Sequence, residues 1–179
     1  METFSSGFMG SFKTGDNINY NLDIVRLLYD CKKKLEAQET TKLNKPIIIF
    51  FATIVEAVLE DLIMKAQDYT IEGVPNIEEN TLEDIRDKKI KRFSAYIDCC
   101  KKHQLISNHS NNNECVFSKL NELRELRNKI HITGEKHESE YFTNEARKKA
   151  RSCLVDILQE MQKYERDYKF VKYFTVPGD

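Results

Sequence analysis

Residues 47–63 read IIIFFATIVEAVLEDLI. Placed on a helix at about 100° per residue, the first nine of them leave no face for water. Such a segment belongs at the centre of a core. Pro46 suits the first helical position. The continuation EAVLEDLIMKAQDY keeps the helical period, so the pattern predicts one long helix over 46–69. A buried strand over 47–55 is the alternative, because Ile and Phe favour strands. The apolar run is shorter than the roughly 20 residues a bilayer requires, so no membrane association is expected.

The rest of the chain has to cover that helix. With 6 glycines and 3 prolines in 179 residues and 32% charged side chains, the composition favours helices over a turn-rich sheet protein. The length predicts one domain over 16–170, preceded by a flexible N-terminal arm (1–15) and followed by a tail (171–179). Ile24, Leu27, Leu28, Cys31 and Leu35 define a first helix over 16–37, with Lys32-Lys33-Lys34 near its end as a solvated terminus or a phosphate-binding edge. Thr81-Leu-Glu-Asp84 resembles a capping box and opens a third helix to about His103. A fourth runs from a cap at Asn113 to Gly134, and a fifth from Thr143 to about Tyr168. Residues 170–176, aromatic and β-branched, form a short strand or an extended arm. The expected fold class is all-α, an up-and-down bundle of four to five helices.

Acidic and basic residues nearly cancel, 29 against 28, for a net charge of −1. That excludes a generally basic nucleic-acid coat but leaves room for a local basic cleft. Five cysteines, an odd number with no CxxC spacing, do not make a disulfide framework. The N-terminus lacks the basic start and apolar run of a signal peptide, so a reducing cytoplasmic location is expected. Phosphate loops, HExxH, GxSxG and EF-hand patterns are missing. Cys99, Cys100, His103, His109 and Cys115 fall in one region, but their spacing matches no standard zinc knuckle. No metal and no cofactor is expected.

The chemistry concentrates in Leu120–Thr133, LNELRELRNKIHIT. On a helix, Val116, Leu120, Leu123 and Ile130 make one apolar stripe. Arg127 falls within it, while Arg124 and His131 lie along its edge and Asn128 slightly further round. An arginine aimed at a packing face needs a partner: a carboxylate, a phosphate or a second subunit. Glu56 and Glu60, one turn apart on the second helix, are either a solvated stripe or that carboxylate. Histidine moves protons near neutral pH, and Arg presents a planar fork of donors to phosphate oxygens. Together they have what 2′-hydroxyl attack on an RNA phosphodiester requires, without a metal. The alternative is an ordinary helix with a satisfied histidine and salt-bridged arginines.

This helix resembles the signature helix of the HEPN superfamily, small all-α domains marked by Arg, four to six residues, then His, commonly starting Arg-Asn. Six residues separate Arg124 from His131; Arg127-Asn128 supplies the Arg-Asn pair, with three residues between Arg127 and His131. ATIVEAVLEDLI resembles the family's apolar-acidic helix, and TNEARKKA is similar to the helix after the signature. The likeness covers roughly residues 20–168. It implies a homodimer that brings two copies of the helix into one cleft. It also implies either a metal-independent endoribonuclease of toxin–antitoxin, antiviral or RNA-processing systems, or a catalytically inactive module that binds an antitoxin, another protein or a nucleotide. By position, His131 would transfer the proton, one of Arg124 and Arg127 would be the catalytic arginine, and Asn128 would orient the site. Thr133 stands where members that pair with nucleotidyltransferases carry Tyr, so that subtype is not implied.

Overall fold

The computed structural model describes residues 1–68, 74, 76–86, 88–109, 114–129, 138–165 and 171–178. The chain is mostly α-helical, with one two-stranded sheet. In order it forms β1 (Glu2–Ser5), α1 (Phe12–Lys32), α2 (Ala37–Thr40), α3 (Asn44–Asp68), α4 (Glu79–Arg86), α5 (Phe93–Lys102), α6 (Val116–Asn128), α7 (Glu138–Tyr141), α8 (Asn144–Met161) and β2 (Tyr173–Val176). No helix among the described residues is long and apolar enough to cross a membrane.

The apolar run is helix, not strand, and α3 is the hub. Ile47, Ile48, Phe51, Val55, Val58, Leu59 and Ile63 are fully buried, and α1, α4, α5, α6 and α8 all pack on it. The buried apolar side chains form one contiguous cluster. The neighbouring helices cover most of α3 but not its whole circumference: Thr53 is exposed and Ile49 and Phe50 are only partly buried, so one edge of the apolar run meets solvent. At its start, buried Asn44 donates to the Phe142 carbonyl (3.0 Å) and accepts from Lys32 Nζ (2.7 Å), tying α1, α3 and the entry to α8 together. Lys32 is therefore a structural tether. Thr143 caps α8 as expected, its hydroxyl accepting from the Ala146 N–H (3.1 Å).

Three expectations change. Residues 1–15, expected as an arm, are built into the fold. β1 pairs antiparallel with β2, Phe4 opposite Phe174, and α1 already starts at Phe12 on a Ser11 cap. Phe8 and Phe174 are both buried and meet edge to face, 6.0 Å between centroids. Second, the helix expected over 81–103 is two helices. The Gln67 amide, reaching from α3, donates to the carbonyls of Ile85 (3.2 Å) and Lys88 (2.7 Å), ending α4 with a side chain distant in sequence. Thr81 therefore lies inside α4 and does not cap it. Third, α6 ends at Asn128 with Lys129 as its cap, short of Gly134, and starts on Cys115. Asn113, His131, Thr133 and Gly134 lie outside the described residues.

Candidate nucleic-acid interface

One face of α6 is spent on the core: Val116, Phe117, Leu120 and Leu123 are buried. The next face carries Arg124, Arg127 and Asn128. These three line a groove of about 280 Å³ together with Glu56 of α3 and with Lys91, Arg92, Phe93 and Ser94 at the start of α5. The groove exists because α5 and α6 both pack on α3.

Glu56 is the carboxylate partner expected for an arginine of α6. Arg127 Nη2 donates to its Oε2 at 2.8 Å, with the Arg127 side chain 41% and the Glu56 side chain 19% exposed. Glu60 is not a partner of either arginine. Its Oε1 accepts from the Tyr96 hydroxyl (2.7 Å), a bond between α3 and α5. Burial, and then that carboxylate, push the Tyr96 pKa upward, keeping the phenol protonated. Arg124 differs from Arg127. Among the described residues its closest carboxylate oxygen is that of neighbouring Glu125, at a loose 3.9 Å, and its Nε, hidden from solvent, has no acceptor. A buried donor without an acceptor costs about 1–3 kcal/mol, which makes it a donor waiting for a ligand oxygen. Asn128 is exposed at the end of the helix. His131, the expected proton-transfer residue, is outside the described residues.

Burial raises the Glu56 pKa, Arg127 pulls it down by a smaller amount, and Glu60 raises it further. A carboxyl whose pKa is raised by folding holds its proton more tightly in the native state. Its ionisation therefore costs stability as the pH climbs from the ordinary value of 4.5 towards the raised one. Glu56→Gln mimics the protonated form. Its melting temperature relative to the wild type is expected to rise between pH 4 and pH 7; a flat difference across that range would contradict the assignment. Asp84 works the other way. Hydrogen bonds from Lys88 and then Lys102 hold it down to about 2, so its contribution is present above the ordinary 3.8 and is lost as the pH falls towards 2.

Lys91 and Arg92 were not singled out from the sequence. The signal is the dense basic run Lys88-Lys89-Ile90-Lys91-Arg92, which falls inside the helix expected to about His103. The break between α4 and α5 divides that run. Lys88 pairs with Asp84 (2.7 Å), while Lys91 and Arg92 face the groove.

A wider groove of about 410 Å³ follows another face of α6 towards α7 and α8, and its charges are mixed. Lys119 is held by Glu114 (2.5 Å) and Asp156 (2.8 Å), and Lys149 approaches Glu122 (3.5 Å). The cysteine–histidine region gathers no metal site among the described residues. Cys99 and Cys100 are buried, and His103 Nε2 lies 3.1 Å from Asp84 Oδ2.

Comparison of the chain with protein-family models, with curated proteins and with solved structures finds no match.

Proposed function

We propose that the chain is a metal-independent endoribonuclease of HEPN type, a helical bundle that acts in the cytoplasm as a homodimer in a toxin–antitoxin, antiviral or RNA-processing role. The observation that carries this reading is the gathering of Arg124, Arg127 and Asn128 with Lys91 and Arg92 around one groove. A chain with a net charge of −1 has no general attraction for nucleic acid, so a local concentration of cations is selective. Arg127 and Arg124 offer planar donors to the non-bridging oxygens of a phosphodiester. His131 removes the proton of the ribose 2′-hydroxyl, whose oxygen attacks phosphorus, and the 5′-oxygen leaves and takes up a proton. The arginines hold the negative charge that builds on phosphorus. Glu56 orients Arg127 through their ion pair, and Asn128 positions the sugar–phosphate backbone. Glu60 supports the site indirectly, by fixing α5 to α3 through Tyr96.

The test is incubation of the purified protein with single-stranded RNA in excess EDTA. Cleavage is expected to proceed there as fast as with magnesium. RNA left intact at equimolar protein, or cut only after metal is added back, would overturn the reading.

A second reading is a catalytically inactive binding or scaffold module, with an antitoxin or another protein as its partner. The Arg127–Glu56 pair favours it, since that guanidinium already has a counter-ion. RNA bound without turnover is its signature.

A further inference from the structure

Among the described residues, four cations, Lys91, Arg92, Arg124 and Arg127, line the groove against a single carboxylate, Glu56. That carboxylate is taken by Arg127. Among the described residues no acidic side chain lies within ion-pair distance of Lys91 or Arg92. The cations come from two helices in two pairs. Arg124 and Arg127 sit one turn apart on α6, and Lys91 and Arg92 stand in the approach to α5. Arg92 is held there in extended conformation, φ −136° and ψ 148°, as the residue before the helix, and its side chain caps nothing. The first-turn N–H groups of α5 thus add their partial positive charge to the same end of the groove. Like charges brought together repel one another, and an external anion relieves the repulsion. One phosphate is satisfied by one pair of cations, whereas two pairs on separate elements suit two successive phosphates.

We propose that Lys91 and Arg92 form a second phosphate subsite beside the Arg124–Arg127 pair, so that the groove takes a continuous stretch of single-stranded RNA backbone rather than a lone nucleotide. This rests on the RNA reading above and adds what that reading lacks: where the strand continues beyond the phosphate under attack. Lys91 and Arg92 are positioning residues here, since they hold a neighbouring phosphate and take no part in proton transfer. Both are exposed, so replacing them leaves the core intact.

The probe is a fluorescent 2′-O-methyl oligouridine of roughly ten nucleotides, which lacks the attacking hydroxyl and stays uncut. Its affinity is measured against salt concentration for the wild type, for Lys91→Gln/Arg92→Gln, and for the charge-preserving Lys91→Arg/Arg92→Lys. Each phosphate no longer neutralised lowers the salt slope by about 0.7, so the Gln pair, which empties one phosphate subsite, is expected to lose about 0.7 from the slope and at least about tenfold in affinity at low salt. The charge-preserving pair is expected to keep the wild-type slope, and all three proteins the same melting temperature. A wild-type slope in the Gln pair would overturn the subsite and leave the RNA reading standing. No binding by the wild type would overturn both. Uridine monophosphate binding with the same dependence on Lys91 and Arg92 would make the ligand a single nucleotide. Polyglutamate displacing the probe with that dependence would make it an acidic polypeptide. Either result would overturn the proposal.

Discussion

His131→Ala is expected to slow RNA cleavage about 10²–10⁴-fold. The large loss follows from chemistry. A 2′-hydroxyl is a weak nucleophile until its proton is taken, and imidazole is the side chain best suited to take it near neutral pH. Arg127→Ala is expected to cost about 10²–10³-fold, the range for removing one donor to the charge that develops in the transition state. The double variant should be little worse than His131→Ala, because groups acting on one step do not contribute independently. Arg127→Ala also takes away the guanidinium that partly offsets the burial of Glu56, so the Glu56 pKa should rise further. Initial rates on one defined RNA, with circular dichroism melts of each variant, separate loss of chemistry from loss of fold. An unchanged rate in His131→Ala would remove the histidine from the mechanism.

The largest loss of stability is expected far from the groove. Asp61, buried on α3, accepts from the N–H groups of Gly10 (2.7 Å) and Ser11 (3.0 Å), and one turn further on, buried Lys65 donates to the Phe8 carbonyl (2.7 Å). These three bonds fasten the segment between β1 and α1 to the central helix. Burial raises the Asp61 pKa, and the bonds from Gly10 and Ser11, together with Lys65, oppose the rise. Asp61→Ala leaves two backbone donors without their acceptor and removes the carboxylate beside a buried ammonium. About 3–5 kcal/mol of unfolding free energy should go with it. Asp61→Asn keeps one acceptor oxygen and is expected to lose less. Urea denaturation followed by circular dichroism reads both. A loss under about 1 kcal/mol in Asp61→Ala would mean that the N-terminal segment is held by Phe8, the Lys65 bond and the strand pairing without help from Asp61.

The same residues explain what could be read in advance. The α3 helix was legible because its signal is local: nine residues without a polar face, a proline at the right place and a helical continuation. The Thr143 cap was legible for the same reason, a hydroxyl three residues ahead of the N–H it binds. That Glu56 or Glu60 would meet an arginine of α6 was legible as one of two readings, because two helices on one core set their charged edges against each other; which carboxylate takes which arginine was not. What escaped depends on contacts between distant parts of the chain. Gln67 ends α4 from another helix, and β1 finds β2 across almost the whole sequence. Asp61 and Lys65, helical surface residues by their pattern, are buried because residues 8–11 fold over them. Lys91 and Arg92 were missed as a consequence of the first of these: in an unbroken helix they are solvated, and only the break before α5 turns them towards the groove.

The most direct test of the account is the chemistry of the cut ends. Single-stranded RNA treated with the protein in EDTA should carry 2′,3′-cyclic phosphate on one fragment and 5′-hydroxyl on the other, since attack by the 2′-oxygen expels the 5′-oxygen. Fragments ending in 3′-hydroxyl and 5′-phosphate, or RNA that stays whole at equimolar protein, would contradict it.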